Sequence, residues 1–208
     1  MGALVNRYAY HPRKSNVMKE DENTMIPFNA LGDRVYYQTI GNVKKCDVCI
    51  LYSYGNGMTV EKTLYQMTKV QDSLMRHWGG KVNFVIYCYD IAGYGKTEGV
   101  VGEEHTNDAA LTVYRHICRQ HKDQPLFLWG FSLGSVPTCY VANYCYTNPD
   151  DEATVRPPTG IILAAPMSEL VHFRTNVYVF DILPDMIRIR RGKRRPIPRR
   201  GPGTSGCP

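Results

Sequence analysis

Apolar residues along this chain come in two alternating spacings. Short runs rich in aromatic and β-branched residues span 33–40, 46–53, 82–89, 125–129 and 160–165, and they read as strands. Between them, residues 59–78 place Val60, Leu64, Met67, Val70 and Leu74 near helical period, and the pattern stops at Gly79-Gly80. A second helix is expected to start at Asn107 or Asp108, either of which can cap it, and to run through Ala110, Val113, Tyr114 and Ile117. A third helix is expected over 135–146, followed by a loop over 147–159. Residues 1–24 are polar without periodicity, which predicts a flexible N-terminal arm or a capping segment.

Strands that are apolar on both faces and alternate with helices predict an α/β fold, a mostly parallel sheet with helices on both faces. In such a sheet, ligands bind beyond the carboxyl ends of the strands. Tyr54-Gly55-Asn56-Gly57, the loop 90–96 and Ser132 all follow strands, so three segments are expected to converge on one site.

Composition adds a boundary. At 43% hydrophobic and 21% charged, the chain has enough apolar residues for one sizeable core. The formal charge of +6 is uneven: Arg188, Arg190, Arg191, Lys193, Arg194, Arg195, Arg199 and Arg200 come without an acid among them, so the body is slightly acidic. The division expected is an arm at 1–24, a core at 25–187 and a basic, Pro/Arg-rich disordered tail at 188–208. That tail offers peripheral contact with an anionic membrane. Nucleic acid is disfavoured, because no aromatic residue follows Phe180 to stack on bases. The absence of a long apolar run and of a secretory signal pattern predicts a cytoplasmic protein, membrane-associated if the tail is used.

The seven cysteines form no repeating framework and read as reduced thiols. Cys46 and Cys49 make a Cys-x-x-Cys spacing, but the pair opens an apolar strand and has no second pair to complete a metal site, so neither metal nor redox work is expected of it. Cys139 and Cys145, at helical spacing in an apolar segment, read as packing. No metal and no cofactor are expected.

The chemistry concentrates in Gly130-Phe131-Ser132-Leu133-Gly134, which follows the apolar run 125–129 and precedes the helical run 135–146. A Gly-x-Ser-x-Gly strand-to-helix turn holds a serine exposed on strained backbone, and the flanking glycines admit neighbouring main chain. Ser132 is therefore the candidate nucleophile, with Gly130 and Gly134 as the elbow. Asp90 and Tyr94 are expected to shape the wall of the 90–96 loop.

Together, residues 51–57, Tyr89 to Lys96 and Gly130 to Thr138 resemble the α/β-hydrolase superfamily, most closely its small serine-hydrolase branch of protein depalmitoylases and serine-aminopeptidase-like proteins. The resemblance runs from about Met25 to Ile187. It implies an acyl-enzyme at Ser132, an oxyanion hole from the backbone of Leu133 and of the turn holding Gly55 and Asn56, and hydrolysis of carboxylic esters or thioesters. Acylated protein and small ester are the implied partners, protein S-acyl groups among them, with peptide N-termini as a further class. The family's usual His-Gly-Asn turn has Tyr54 in the histidine's place.

The resemblance also implies an acid after a seventh strand and a histidine after an eighth, and neither can be carried over. The chain is thus expected to lack the last strands of the fold and to be truncated or altered at its C-terminus. His172 and Glu169 are the available substitutes. His105, His116 and His121 are expected to be solvated. The alternative reading is a non-catalytic binding protein of the same fold, or an inactive fragment.

Overall fold

The computed structural model describes residues 10–14, 24–148, 151, 155–166, 179–183 and 186–190. Eight strands are β1 (Met25–Pro27), β2 (Arg34–Ile40), β3 (Val48–Ser53), β4 (Phe84–Tyr89), β5 (Leu126–Phe131), β6 (Gly160–Ala164), β7 (Val179–Leu183) and β8 (Met186–Arg190). Three α-helices intervene: α1 (Val60–His77), α2 (Glu103–Gln120) and α3 (Ser135–Thr147). One sheet holds all the strands in the order β1-β2-β4-β3-β5-β6-β7-β8.

The centre of the sheet is parallel, with β3 paired to β4 and to β5, and β5 to β6. Antiparallel pairing is confined to its ends: β1 with β2, β2 with β4, and β7 with β8. Although β2 and β3 follow one another in sequence, β4 lies between them.

Alternate residues of each strand enter separate cores. Tyr37, Cys49, Leu51, Val85, Tyr87, Leu126 and Leu128 pack with Ala110, Val113, Tyr114 and Ile117 of α2 and Val141 and Ala142 of α3. The other face sends Tyr36, Ile50, Tyr52, Phe84, Ile86 and Cys88 against Val60 and Met67 of α1. Each fully buried Leu, Ile or Val contributes about 1.5–3 kcal/mol from removal of apolar surface, so every central strand gains stability on both sides. The α/β class with helices on both faces is what the alternation predicts.

Beyond β6, β7 pairs parallel to it at Ile161 and Val179, and β8 returns antiparallel. Expectations for one helix and for two histidines need correction. Helix α2 starts at Glu103, a turn before Asn107, which is buried within it. The cap is Gly102, in extended backbone without a side-chain bond, and Glu103 and Glu104 in the first turn face the positive end of the helix dipole.

Residues 10–14 pack against the body. Tyr10 is buried in the α1-side core, and Lys14 forms a parallel bridge with Gly95. Among the histidines, His121 is buried and His116 is half-buried, its Nε2 3.0 Å from Tyr37 Oη. Neither is solvated as expected. No helix among the described residues is long and apolar enough to cross a membrane.

Candidate active site

Strand β5 ends at Phe131 and α3 begins at Ser135, leaving Ser132–Gly134 as a single 3-10 turn. Ser132 has φ 50°, in the left-handed region that costs a side-chain-bearing residue free energy. Such strain persists only where surroundings over-determine it, and both glycines show how. A Cβ on Gly134 would lie 2.0 Å from Ser53 O and 2.6 Å from Tyr54 O. One on Gly130 would lie 2.7 Å from Thr138 Oγ1 and 2.8 Å from Gly134 O. The turn is thus pressed against the end of β3 on one side and the first turn of α3 on the other. Ser135 Oγ donates to Ser132 O at 2.6 Å and Thr138 Oγ1 to Gly134 O at 2.8 Å, closing the turn onto the helix. Pro137 sits in the first helical turn, where its missing N–H costs nothing.

The expected oxyanion turn lies alongside. The Cβ direction of Gly55 ends 3.4 Å from Ser132 Cβ and 2.9 Å from the Phe131 ring, so Gly55 is against the nucleophile candidate. Leu133 is buried with Tyr54, Ile91 and Tyr94. The side chain of Asn56 faces the other way, its Oδ1 accepting from Tyr94 Oη at 2.7 Å and from His11 N at 2.8 Å.

Asp90 holds this turn. It is 1% exposed, and its Oδ1 accepts from Tyr54 Oη and from Val60 N, the first amide of α1, each at 2.7 Å. Its Oδ2 accepts from Lys96 N at 2.9 Å. One carboxylate therefore joins the 54–57 turn, the start of α1 and the 90–96 loop. Burial raises the Asp90 pKa, against the pull of the Lys96 and Val60 amides and the Tyr54 hydroxyl. Burial also raises Tyr54 well above the ordinary phenol range, with Asp90 adding to it. The tyrosine in the family histidine's position is a buried hydrogen-bond donor.

The structure brings together Ser132, Leu133, Gly55, Asn56, Gly130 and Gly134. Among the described residues Ser132 Oγ has no hydrogen-bond partner; His172 and Glu169 lie outside them. Phe131 is 42% exposed beside Ser132, an apolar lip at the site. Sequence reasoning placed Asp90 and Tyr94 in the loop wall but missed the link through Tyr54, which only the fold reveals.

At the opposite, amino end of β3, Cys46, Cys49 and His121 are buried with donor atoms all within 4.8 Å of one another. The Cys-x-x-Cys spacing signalled the pair. The histidine, at the end of α2, carried no sequence signal for joining it.

Comparison with known proteins gives the family. Residues 68–188 match the family model for serine aminopeptidase, S33. A lysophosphatidylserine lipase ABHD12 of Danio rerio is 32% identical over 123 residues, which is 58% of this chain and 28% of that protein. The protein of the same name from Macaca fascicularis is 28% identical over 145 residues, 68% of this chain and 32% of its own length. The chain therefore spans about a third or less of these relatives. Among solved structures, one from Agrobacterium vitis S4 assigned as a hydrolase superposes with a TM-score of 0.52 at 16% identity, covering 71% of this chain and 54% of that one. With the family match covering more than half of the sequence, the chain belongs to the serine aminopeptidase, S33, family of the α/β-hydrolase superfamily.

Proposed function

We propose that this chain is a serine hydrolase of carboxylic esters, with Ser132 as nucleophile. One observation carries the reading: a serine in left-handed backbone at the crest of a parallel sheet, with Gly55 of the neighbouring turn against it. Ser132 Oγ attacks the acyl carbon, the carbonyl electrons move onto oxygen, and the alcohol departs with the serine's proton. Water then releases the acid from the acyl-serine. Amides of Leu133 and of the Gly55–Asn56 turn would stabilise the oxyanion. Backbone donors suit this because they are oriented before the charge develops; losing one typically costs roughly 10²–10³ in rate.

The similarity to lysophosphatidylserine lipases supports an acyl ester of a glycerol-type alcohol, and the exposed Phe131 beside Ser132 suits an acyl chain. Acyl thioesters, including those on protein cysteines, are the competing class. The test is labelling of the purified chain with a fluorophosphonate probe. Labelling is expected in the wild type and absent in Ser132→Ala, with a monoacylglycerol ester cleaved faster than the matching acyl thioester. Faster thioester cleavage would transfer the assignment to S-acyl substrates. Absence of serine-dependent labelling would leave the non-catalytic binding protein as the reading.

A further inference from the structure

Cys46 follows the single 3-10 turn before β3, and Cys49 is the second residue of that strand. Their sulfurs are 3.2 Å apart, and both are free thiols. His121 caps the C-terminal end of α2, its amide donating to Ile117 O at 2.8 Å. Arg156 Nη2 donates to His121 O at 3.0 Å, so both polar groups of the His121 backbone are tied down. The ring is fixed as well. Tyr87 Oη donates to Gln120 Oε1 at 2.9 Å and lies 2.8 Å from His121 Nε2. With the hydroxyl proton committed to Gln120, the phenol oxygen accepts from Nε2–H, and Nδ1 keeps its lone pair.

Two thiols and an imidazole converge from two elements onto one buried point. Among the described residues this is the group of histidine, cysteine and carboxylate donors compact enough to hold a metal ion. We propose that Cys46, Cys49 and His121 form a structural zinc site at the base of the sheet. The donor set is soft, which selects thiophilic ions such as Zn²⁺ over Mg²⁺ or Ca²⁺. Binding converts two S–H groups to thiolates and releases two protons per ion. Two thiolates, one dication and a neutral imidazole carry no net charge, so burial incurs no cost for an isolated ion.

The dimensions agree. Tetrahedral zinc with Zn–S bonds of about 2.3 Å separates two sulfurs by about 3.8 Å, so the thiols need to part by roughly 0.6 Å. A disulfide needs them to close to about 2.05 Å and gives the histidine no part. The Tyr87 bond to the ring is the outer-shell contact that orients a ligating histidine. The ion would pin the start of β3 to the end of α2, at the end of β3 away from the 54–57 turn.

The experiment uses the full chain carrying Cys207→Ser, stripped with chelator and kept reduced with a phosphine, and titrated with Co²⁺ as the probe. One equivalent is expected to give a thiolate-to-cobalt charge-transfer band and the intense visible bands of a tetrahedral ion. The two protons should leave as cobalt binds, and Zn²⁺ should then bleach both bands without further proton release. Cys46→Ser and Cys49→Ser should each abolish the band. His121→Ala should keep it but weaken binding by about a hundredfold or more, and Cys139→Ser should leave it unchanged. A second measurement needs no site variant: zinc added to the same protein should protect Cys46 and Cys49, but not Cys139, from alkylation under partial urea unfolding. No cobalt band on folded protein, a band that survives loss of both cysteines, or equal alkylation with and without zinc would each overturn the site.

Discussion

Gly134 shows how much depends on one missing methyl group. Its φ of −62° is ordinary helical backbone, so alanine there carries no conformational penalty of its own. The cost comes from the clash with Ser53 O, which is main chain and cannot swing aside. Overpacking of this kind costs typically about 1–3 kcal/mol, and a contact this short with backbone belongs at or above the upper end. Gly134→Ala is expected to lower unfolding free energy by about 3 kcal/mol or more in urea melts. Because the yielding atoms belong to Ser53 and Tyr54, which lead into the Gly55–Asn56 turn, fluorophosphonate labelling per folded molecule should fall too. Unchanged labelling beside the stability loss would separate the elbow's packing from the oxyanion turn. At this scale the sequence was informative: the Gly-x-Ser-x-Gly pattern states where main chain must approach, because only glycine leaves room.

At the scale of elements, Asp90 joins three of them, and its replacement distinguishes charge from hydrogen bonding. Asp90→Ala would leave Tyr54 Oη, Val60 N and Lys96 N without their acceptor. At about 1–3 kcal/mol for each buried unsatisfied donor, a loss of at least about 3 kcal/mol is expected. Asp90→Asn keeps an oxygen for Tyr54 and Val60 and loses the Lys96 contact, so about 1–2 kcal/mol is expected at neutral pH. The pH dependence separates the two effects. Burial raises the folded pKa above the ordinary 3.8, so between those values the native state binds more protons than the unfolded chain. The contribution is therefore fully present below 3.8 and declines as pH rises through the folded pKa. Stability of wild type minus that of Asp90→Asn should fall as pH rises from 3.8 through the folded pKa in parallel denaturant titrations; a flat or rising difference would contradict a raised pKa. Strands and helices were legible from spacing alone because their periods differ. The start of α2 was not: Asn107 is a good cap by type, but it lies buried inside the helix, and a glycine with two glutamates stands at the start instead. The Cys46–Cys49–His121 cluster was half legible, as a pair whose third member lies far along the chain.

Across the whole molecule, the least legible contact joins the N-terminal segment to the site. Residues 1–24 have no periodicity, yet residues 10–14 cross the carboxyl side of the sheet as a strap. Gly95 N donates to Arg13 O at 2.6 Å, and His11 N donates to Asn56 Oδ1 across 45 positions of sequence. Such contacts come from backbone groups, which every residue carries, so composition cannot announce them. The strap and Tyr94 Oη converge on the same Asn56 oxygen and together fix the turn beside Ser132. His11→Pro removes the donating N–H, whereas His11→Ala keeps it and trims only an exposed side chain. A typical net hydrogen bond is worth about 0.5–1.5 kcal/mol, roughly a threefold to tenfold effect if all of it positions the turn. Fluorophosphonate labelling is therefore expected to slow by about threefold to tenfold in His11→Pro and to stay at the wild-type rate in His11→Ala. Equal slowing in both would assign the effect to the imidazole instead of the strap, and no slowing in either would show that the strap is not needed to hold Asn56.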